Sequence, residues 1–157
     1  MRKMTTLALA GAVSFCVSAG ASAQMLDKKT LSLAEAMKVS AAAQEEARKN
    51  NWTMVVAVVD DGGNLVLLHR MDETMLGSIQ VAQDKATSAL NFKRPTKVFE
   101  EGVAGGRNAL LRLTGAMPIE GGLPITYGGK IIGAIGISGG TAPQDGQVAK
   151  AGADTVK

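Results

Sequence analysis

The sequence predicts an α+β fold in which a central antiparallel sheet of about five strands carries helices on its faces. Three observations lead there. Apolar runs flank two tight turns, Asp61-Gly62-Gly63-Asn64 and Gly128-Gly129, as in β-hairpins. Alanine-rich segments with helical spacing lie around those hairpins. The resulting order is helix, two strands, helix, connecting segment, two strands, helix, and hairpins require antiparallel pairing.

The first helix is expected to begin at Ser32, with Glu35 three residues on completing a capping box. Leu33, Met37, Ala41 and Ala47 fit one face of it, and Asn50-Asn51 ends it. Residues 53–60 read as a strand that is apolar throughout from Met54 to Val59, so both its faces should be covered. Residues 65–70 return as its partner. Leu65, Leu67 and His69 take one face; Val66, Leu68 and Arg70 take the other. A second helix is expected over residues 74–91, with Leu76, Ile79, Ala82, Ala86 and Ala89 as its buried stripe. Lys93-Arg94-Pro95 breaks it. Thr96 should cap a short helix through Phe99, and residues 107–113 hold another helical turn. A fifth short strand is placed around Met117–Ile119.

The second hairpin starts at Leu123. Glycine punctuates its returning strand at Gly133, Gly136, Gly139 and Gly140. Alternation places Ile131, Gly133, Ile135 and Ile137 on one face and Ile132, Ala134, Gly136 and Ser138 on the other. Such a low wall admits close approach by a helix, another subunit or a flat ligand. A last helix should begin near Thr141.

Residues 1–23 read as a secretory signal peptide and residues 24–157 as one domain. Arg2 and Lys3 precede an apolar stretch, and Ala21-Ser22-Ala23 is an A-x-A cleavage pattern before Gln24. Periplasmic or secreted location follows, with no membrane span after cleavage. The lone cysteine, Cys16, leaves with the leader, which removes thiolate chemistry from the mature chain. The formal charge of +3 also overstates the mature protein, because the leader carries two of the 17 basic residues against 14 acidic ones. A near-neutral chain with few aromatic residues does not suit a nucleic-acid partner.

No G-x-S-x-G, H-E-x-x-H, P-loop or G-x-G-x-x-G pattern is present. The single imidazole, His69, is the candidate metal ligand. Arg70 beside it suits a carboxylate such as a haem propionate. Lys85 and Arg94, with Lys93, form a second basic group. Gly139, Gly140 and Thr141 lead into a helix start, where free N–H groups bind anions. Tyr127 adjoins the Gly-Gly turn and is a further candidate ligand.

Several stretches taken together resemble the GlcG/HbpS-like haem-degrading domain family. They are His69-Arg70-Met71-Asp72, Ser78 to Ala86, Phe92 to Pro95, Gly121 to Ile125, Gly133 to Gly140, and Gln144-Asp145. The resemblance runs from about Leu31 to Gly152. It implies a profilin-like two- or three-layer sandwich, homo-oligomers, and for exported members haem binding with haem degradation or a redox-sensing accessory role. Iron-holding members use E-x-x-E or D-x-x-E pairs, and this chain has none.

Three functions compete. An exported haem-binding protein would use His69 as axial ligand, with Arg70, Lys85 or Arg94 on the propionates and Tyr127 nearby. Its activity would be at most oxidative degradation of that haem. A sensory module for a small organic acid such as glycolate would use the Gly136–Thr141 loop and Arg94. A scaffold without a small ligand would use the low strand and the alanine-rich helices for subunit contacts.

Overall fold

The computed structural model describes residues 24–156, so the expected leader lies outside the described residues. The elements in chain order are α1 (Leu33–Lys49), β1 (Val55–Asp60), β2 (Leu65–Arg70), α2 (Ser78–Phe92), α3 (Lys97–Ala104), a 3-10 turn (Asn108–Arg112), β3 (Gly122–Tyr127), β4 (Lys130–Ser138) and α4 (Ala142–Ala153). The four strands form one antiparallel sheet in the order β2-β1-β4-β3. Among the described residues there are therefore four strands, not five. Met117–Ile119 forms none, because its polar backbone is drawn to side chains. The Met117 N–H donates to Ser88 Oγ (2.9 Å), Pro118 has no N–H, and the Glu120 N–H donates to Glu100 Oε2.

Three layers result. On one side α1 and α4 bury Ala36, Val39, Ala43, Ala47 and Val148 against Val56, Val58, Ile135 and Ile137. On the other side α2 lays Ala82, Ala86 and Ala89 over Val55, Ala57, Val59 and Ala134. Each fully buried isoleucine or valine contributes roughly 1.5–3 kcal/mol. The central strand β1 is covered on both faces, as its continuous apolar run requires.

Local chemistry explains the ends. Ser32 caps α1, its Oγ accepting from the Glu35 N–H at 3.2 Å. The buried face of α1 is nevertheless Ala36, Val39, Ser40, Ala43 and Ala47; Leu33 and Met37 are exposed. Alanine at 3–4 spacing lets the helix approach α4 and the sheet closely, which the larger residues would prevent. Helix α2 begins at Ser78 rather than Thr74, because residues 71–77 make a turn: Thr74 Oγ1 donates to the Met71 carbonyl, and Glu73 has a positive φ of 62°. Helix α3 extends beyond Phe99 to Ala104. Thr96 does not cap it; its Oγ1 accepts from the Gly122 N–H at 2.9 Å.

Both hairpins carry a bulge near the turn. Val58 faces Leu67 and Val59 faces Leu65, so Val66 is the extra residue. Ile125 faces Gly133 and Thr126 faces Ile131, so Ile132 is extra. Strict alternation therefore fails at these points: Ile132 joins the core with Ile135 and Ile137, while Ile131 packs with Ala134.

The low wall of β4 is filled by α2. A Cβ on Gly136 would fall on the Ala82 carbonyl oxygen and sit 2.5 Å from the Ala86 nitrogen. Of the three guests that the wall could accept, the helix is the one present, so a planar ligand cannot lie there.

Candidate functional site

The candidate residues do not converge. Val55 pairs with both Arg70 and Ser138, which places His69, Arg70 and Gly139–Thr141 at one end of the sheet. Tyr127 pairs with Lys130 at the opposite end of β4. Eight residue steps along a strand separate the two ends by ~25 Å.

At the first end His69 is exposed on the edge strand β2, and its ring turns toward α1. Ser40 Oγ lies 2.9 Å and Gln44 Nε2 2.6 Å from its Nδ1. Arg48 Nη2 donates to Gln44 Oε1 at 2.9 Å. A guanidinium can only donate, so the amide presents Nε2 to the imidazole, and Nδ1 accepts. The neutral ring then carries its proton on Nε2. A metal ligand needs a lone pair: the one at Nδ1 is engaged by Gln44, and one at Nε2 is freed when Nδ1 takes that proton and the Gln44 amide turns. Arg70 is also engaged: its Nε and Nη2 donate to the Thr74 carbonyl at 3.2 and 2.9 Å.

Lys85 is not a surface cation available to a propionate. It is 1% exposed, and its Nζ donates to Asp145 Oδ2 at 2.7 Å. Burial pushes the Asp145 carboxyl above its ordinary value, and the Lys85 hydrogen bond pulls the other way without winning. The other Asp145 oxygen accepts from the Gly140 N–H at 3.0 Å, and Gln144 Oε1 accepts from the Thr141 N–H at 2.8 Å. Pro143 in the first turn has no N–H. The start of α4 thus already holds an anion, the carboxylate of Asp145, and an external anion there finds the Gly140 and Thr141 donors taken. Arg94 sits exposed past the end of α2, its Nε donating to the Phe92 carbonyl and its guanidinium 6.0 Å from the Phe99 ring centre. It neighbours none of the other candidates.

The second end has larger and more apolar clefts. Tyr127 is 41% exposed and stands between two clefts. One, of about 430 Å³, is walled by Tyr127, Ile132, Val156, Thr30 and Thr155, with Lys29 and Glu35 at its rim. The other, of about 460 Å³, is lined by Asp27, Lys28, Lys29, Tyr127, Gly128 and Lys130. The Lys29 ammonium lies over the Tyr127 ring, 4.4 Å from its centre, as a cation–π contact. Lys28 is tied to Asp61, whose carboxyl is held below its ordinary range chiefly by that hydrogen bond. Sequence reasoning found Tyr127 but missed Lys29, Ile132 and Val156, which come from the leader-side segment, the bulge and the C-terminal tail. Only the Gly-Gly turn beside Tyr127 pointed to this end.

Among the described residues no three His, Cys, Asp or Glu side chains are grouped to hold a metal ion. No described helix is long and apolar enough to cross a membrane.

Comparison with known proteins now adds to this geometry. Residues 31–154 match the family described as haem degrading protein HbpS-like. The chain is 46% identical over 114 residues to Protein GlcG of Escherichia coli K12, covering 73% of this chain and 85% of that one. The crystal structure of HbpS superposes with a TM-score of 0.78 at 31% identity, covering 85% of this chain and 95% of that one. A PduOC structure, crystallised as a haem complex, superposes with a TM-score of 0.73 at 28% identity, covering 82% and 96%.

Proposed function

We propose a function from one premise: the chain belongs to the HbpS-like haem-degrading protein family. We infer that it is an exported protein that binds haem in the clefts flanking Tyr127. One observation carries this. The Tyr127 ring, Ile132 and Val156 form an open apolar wall, with the Lys29 ammonium over the ring and Lys28 and Lys130 beside it. A flat apolar molecule bearing two carboxylates fits such an arrangement, with its face on the wall and its charges at the lysines. The PduOC haem complex supports the ligand class.

Here Ile132 and Val156 would exclude water, Lys29 and Lys130 would hold propionates, and the Tyr127 phenol oxygen would be the group offered to the iron. Lys29 would move off the ring to admit the ligand. When bound, haem supplies redox-active iron, the chemistry needed for its own oxidative breakdown. A second reading places haem at His69 with Arg70 on a propionate. The exposed ring favours it; the adjoining cleft, where Met71 is the one large apolar lining residue, does not.

Titrating the purified protein with haemin tests the reading. A saturable Soret shift at one haem per chain is expected, weakened by Tyr127→Ala and retained in His69→Ala. The reverse pattern would move the site to His69, and no shift at all would remove haem. Export is supported by the basic start, the apolar run and Ala21-Ser22-Ala23. Mass spectrometry of the protein from its native host should give a chain starting at Gln24.

A further inference from the structure

We infer that Arg48 and Arg70 form a binding site for small carboxylic acids, at the end of the sheet remote from Tyr127 and independent of the haem reading. Both line one cleft of about 350 Å³, with Gln44, Thr53, Met71 and Asp72. Arg48 comes from the last turn of α1 and Arg70 from the end of β2.

The unusual feature is how these two cations are held. Among the described residues neither makes an ion pair. Each is anchored by a neutral acceptor instead. Arg48 donates to the Gln44 amide oxygen, and that amide is fixed in turn by Ser40 and His69. Arg70 donates twice to the Thr74 carbonyl, which leaves its Nη1 group unused. The anchors fix position without neutralising charge. Two guanidiniums with spare donors are thereby presented to one cleft, and the planar fork of a guanidinium matches a carboxylate. Preorganisation of this kind reduces the entropy lost when a ligand binds.

Structural roles account for part of this. Arg48 complements the dipole at the C-terminus of α1, and Arg70 clamps the turn before α2. Those roles do not explain why Asp72, in the same cleft, pairs with neither. Asp72 does lower the net charge there, which favours a singly charged carboxylate over phosphate. The Thr53 hydroxyl adds a neutral donor to the lining.

Nitrogen–proton NMR spectra test the site, with acetate, lactate, inorganic phosphate or haemin added at constant ionic strength set by sodium chloride. Acetate or lactate should produce saturable shifts at the Arg48 and Arg70 side-chain N–H groups and at Thr53. Arg48→Ala should weaken that binding roughly tenfold or more, the size of one charge-assisted hydrogen bond. Tyr127→Ala should leave it unchanged. Arg48 is exposed at a helix end, so its variant folds; Arg70→Ala serves as the second variant, checked first for an intact fold. Shifts that never saturate, that match those of chloride, or that survive Arg48→Ala overturn the site. Shifts at these groups with haemin or phosphate alone, and none with free acids, overturn it as well.

Discussion

The Lys85 ammonium donates to Asp145 at 2.7 Å and so joins α2 to α4, helices from opposite layers of the sandwich. The pair passes the sheet at the start of β3, where Gly121 leaves room for it. A Cβ on Gly121 would lie 2.9 Å from Lys85 Nζ and 2.8 Å from the Asp145 Cβ. A buried ion pair of this kind registers two layers against each other more than it stabilises them, because desolvating both charges offsets most of their attraction.

Removing one partner should therefore hurt more than removing both. Asp145→Asn leaves a buried ammonium without its anion and should cost about 3–5 kcal/mol. Lys85→Met combined with Asp145→Asn should recover most of that loss, since the new amide oxygen still accepts from the Gly140 N–H. Urea unfolding midpoints measure both. The pH dependence has a definite sign. Burial raises the Asp145 carboxyl above its ordinary 3.8, so its contribution is greatest in acid and declines as pH rises through the folded value. The double variant should gain on the wild type between acid and neutral pH. A gain in the opposite direction would contradict the assignment.

Gly136 should tolerate no side chain. Gly136→Ala drives a methyl group into backbone atoms of Ala82 and Ala86, and backbone cannot yield as a flexible side chain does. A loss of about 3 kcal/mol is expected, at the upper end for overpacking. Gly77→Ala is the control. Nothing lies within 4 Å of its Cβ position and its φ is −60°, so thermal unfolding should show a small gain or no change.

The β1–β2 turn should weaken in acid. Asp60 Oδ1 accepts from the backbone N–H groups of Gly62 (2.8 Å) and Asn64 (2.9 Å), and both Asp60 oxygens accept from the Asn64 side chain. The Asn64 side chain is the largest influence holding this carboxyl below 3.8. A lowered carboxyl contributes above its unfolded value and loses that contribution as pH falls through the folded one. The stability difference between wild type and Asp60→Asn should thus be full at pH 5 and shrink as pH falls below about 4.

Much of this architecture is legible in short stretches of sequence. Ser32 and Glu35 announce a helix start, and Asp61 to Asn64 and Gly128-Gly129 announce the turns, because caps and turns are decided by neighbours. The bulges at Val66 and Ile132 are not, since nothing in an apolar run says which residue is extra; they reassign faces that alternation had fixed. Leu33 and Met37 misled for a related reason, as the buried face of α1 was chosen by closeness of approach rather than by hydrophobicity.

Site legibility follows the same division. Tyr127 was visible beside its turn, whereas Lys29 and Val156 reach it from distant segments. Lys85 reads as a surface lysine until Asp145, sixty positions away, is seen beside it. Likewise the polarity of His69 depends on Arg48, one helix away, through Gln44.

Shift mapping with a diamagnetic haem analogue, gallium protoporphyrin, tests the central claim most directly. Ring-current shifts should be largest at Tyr127, Ile132, Val156 and Lys29, with His69 and Gln44 unmoved. Shifts centred on His69 and Gln44, or none at stoichiometric porphyrin, would contradict the account.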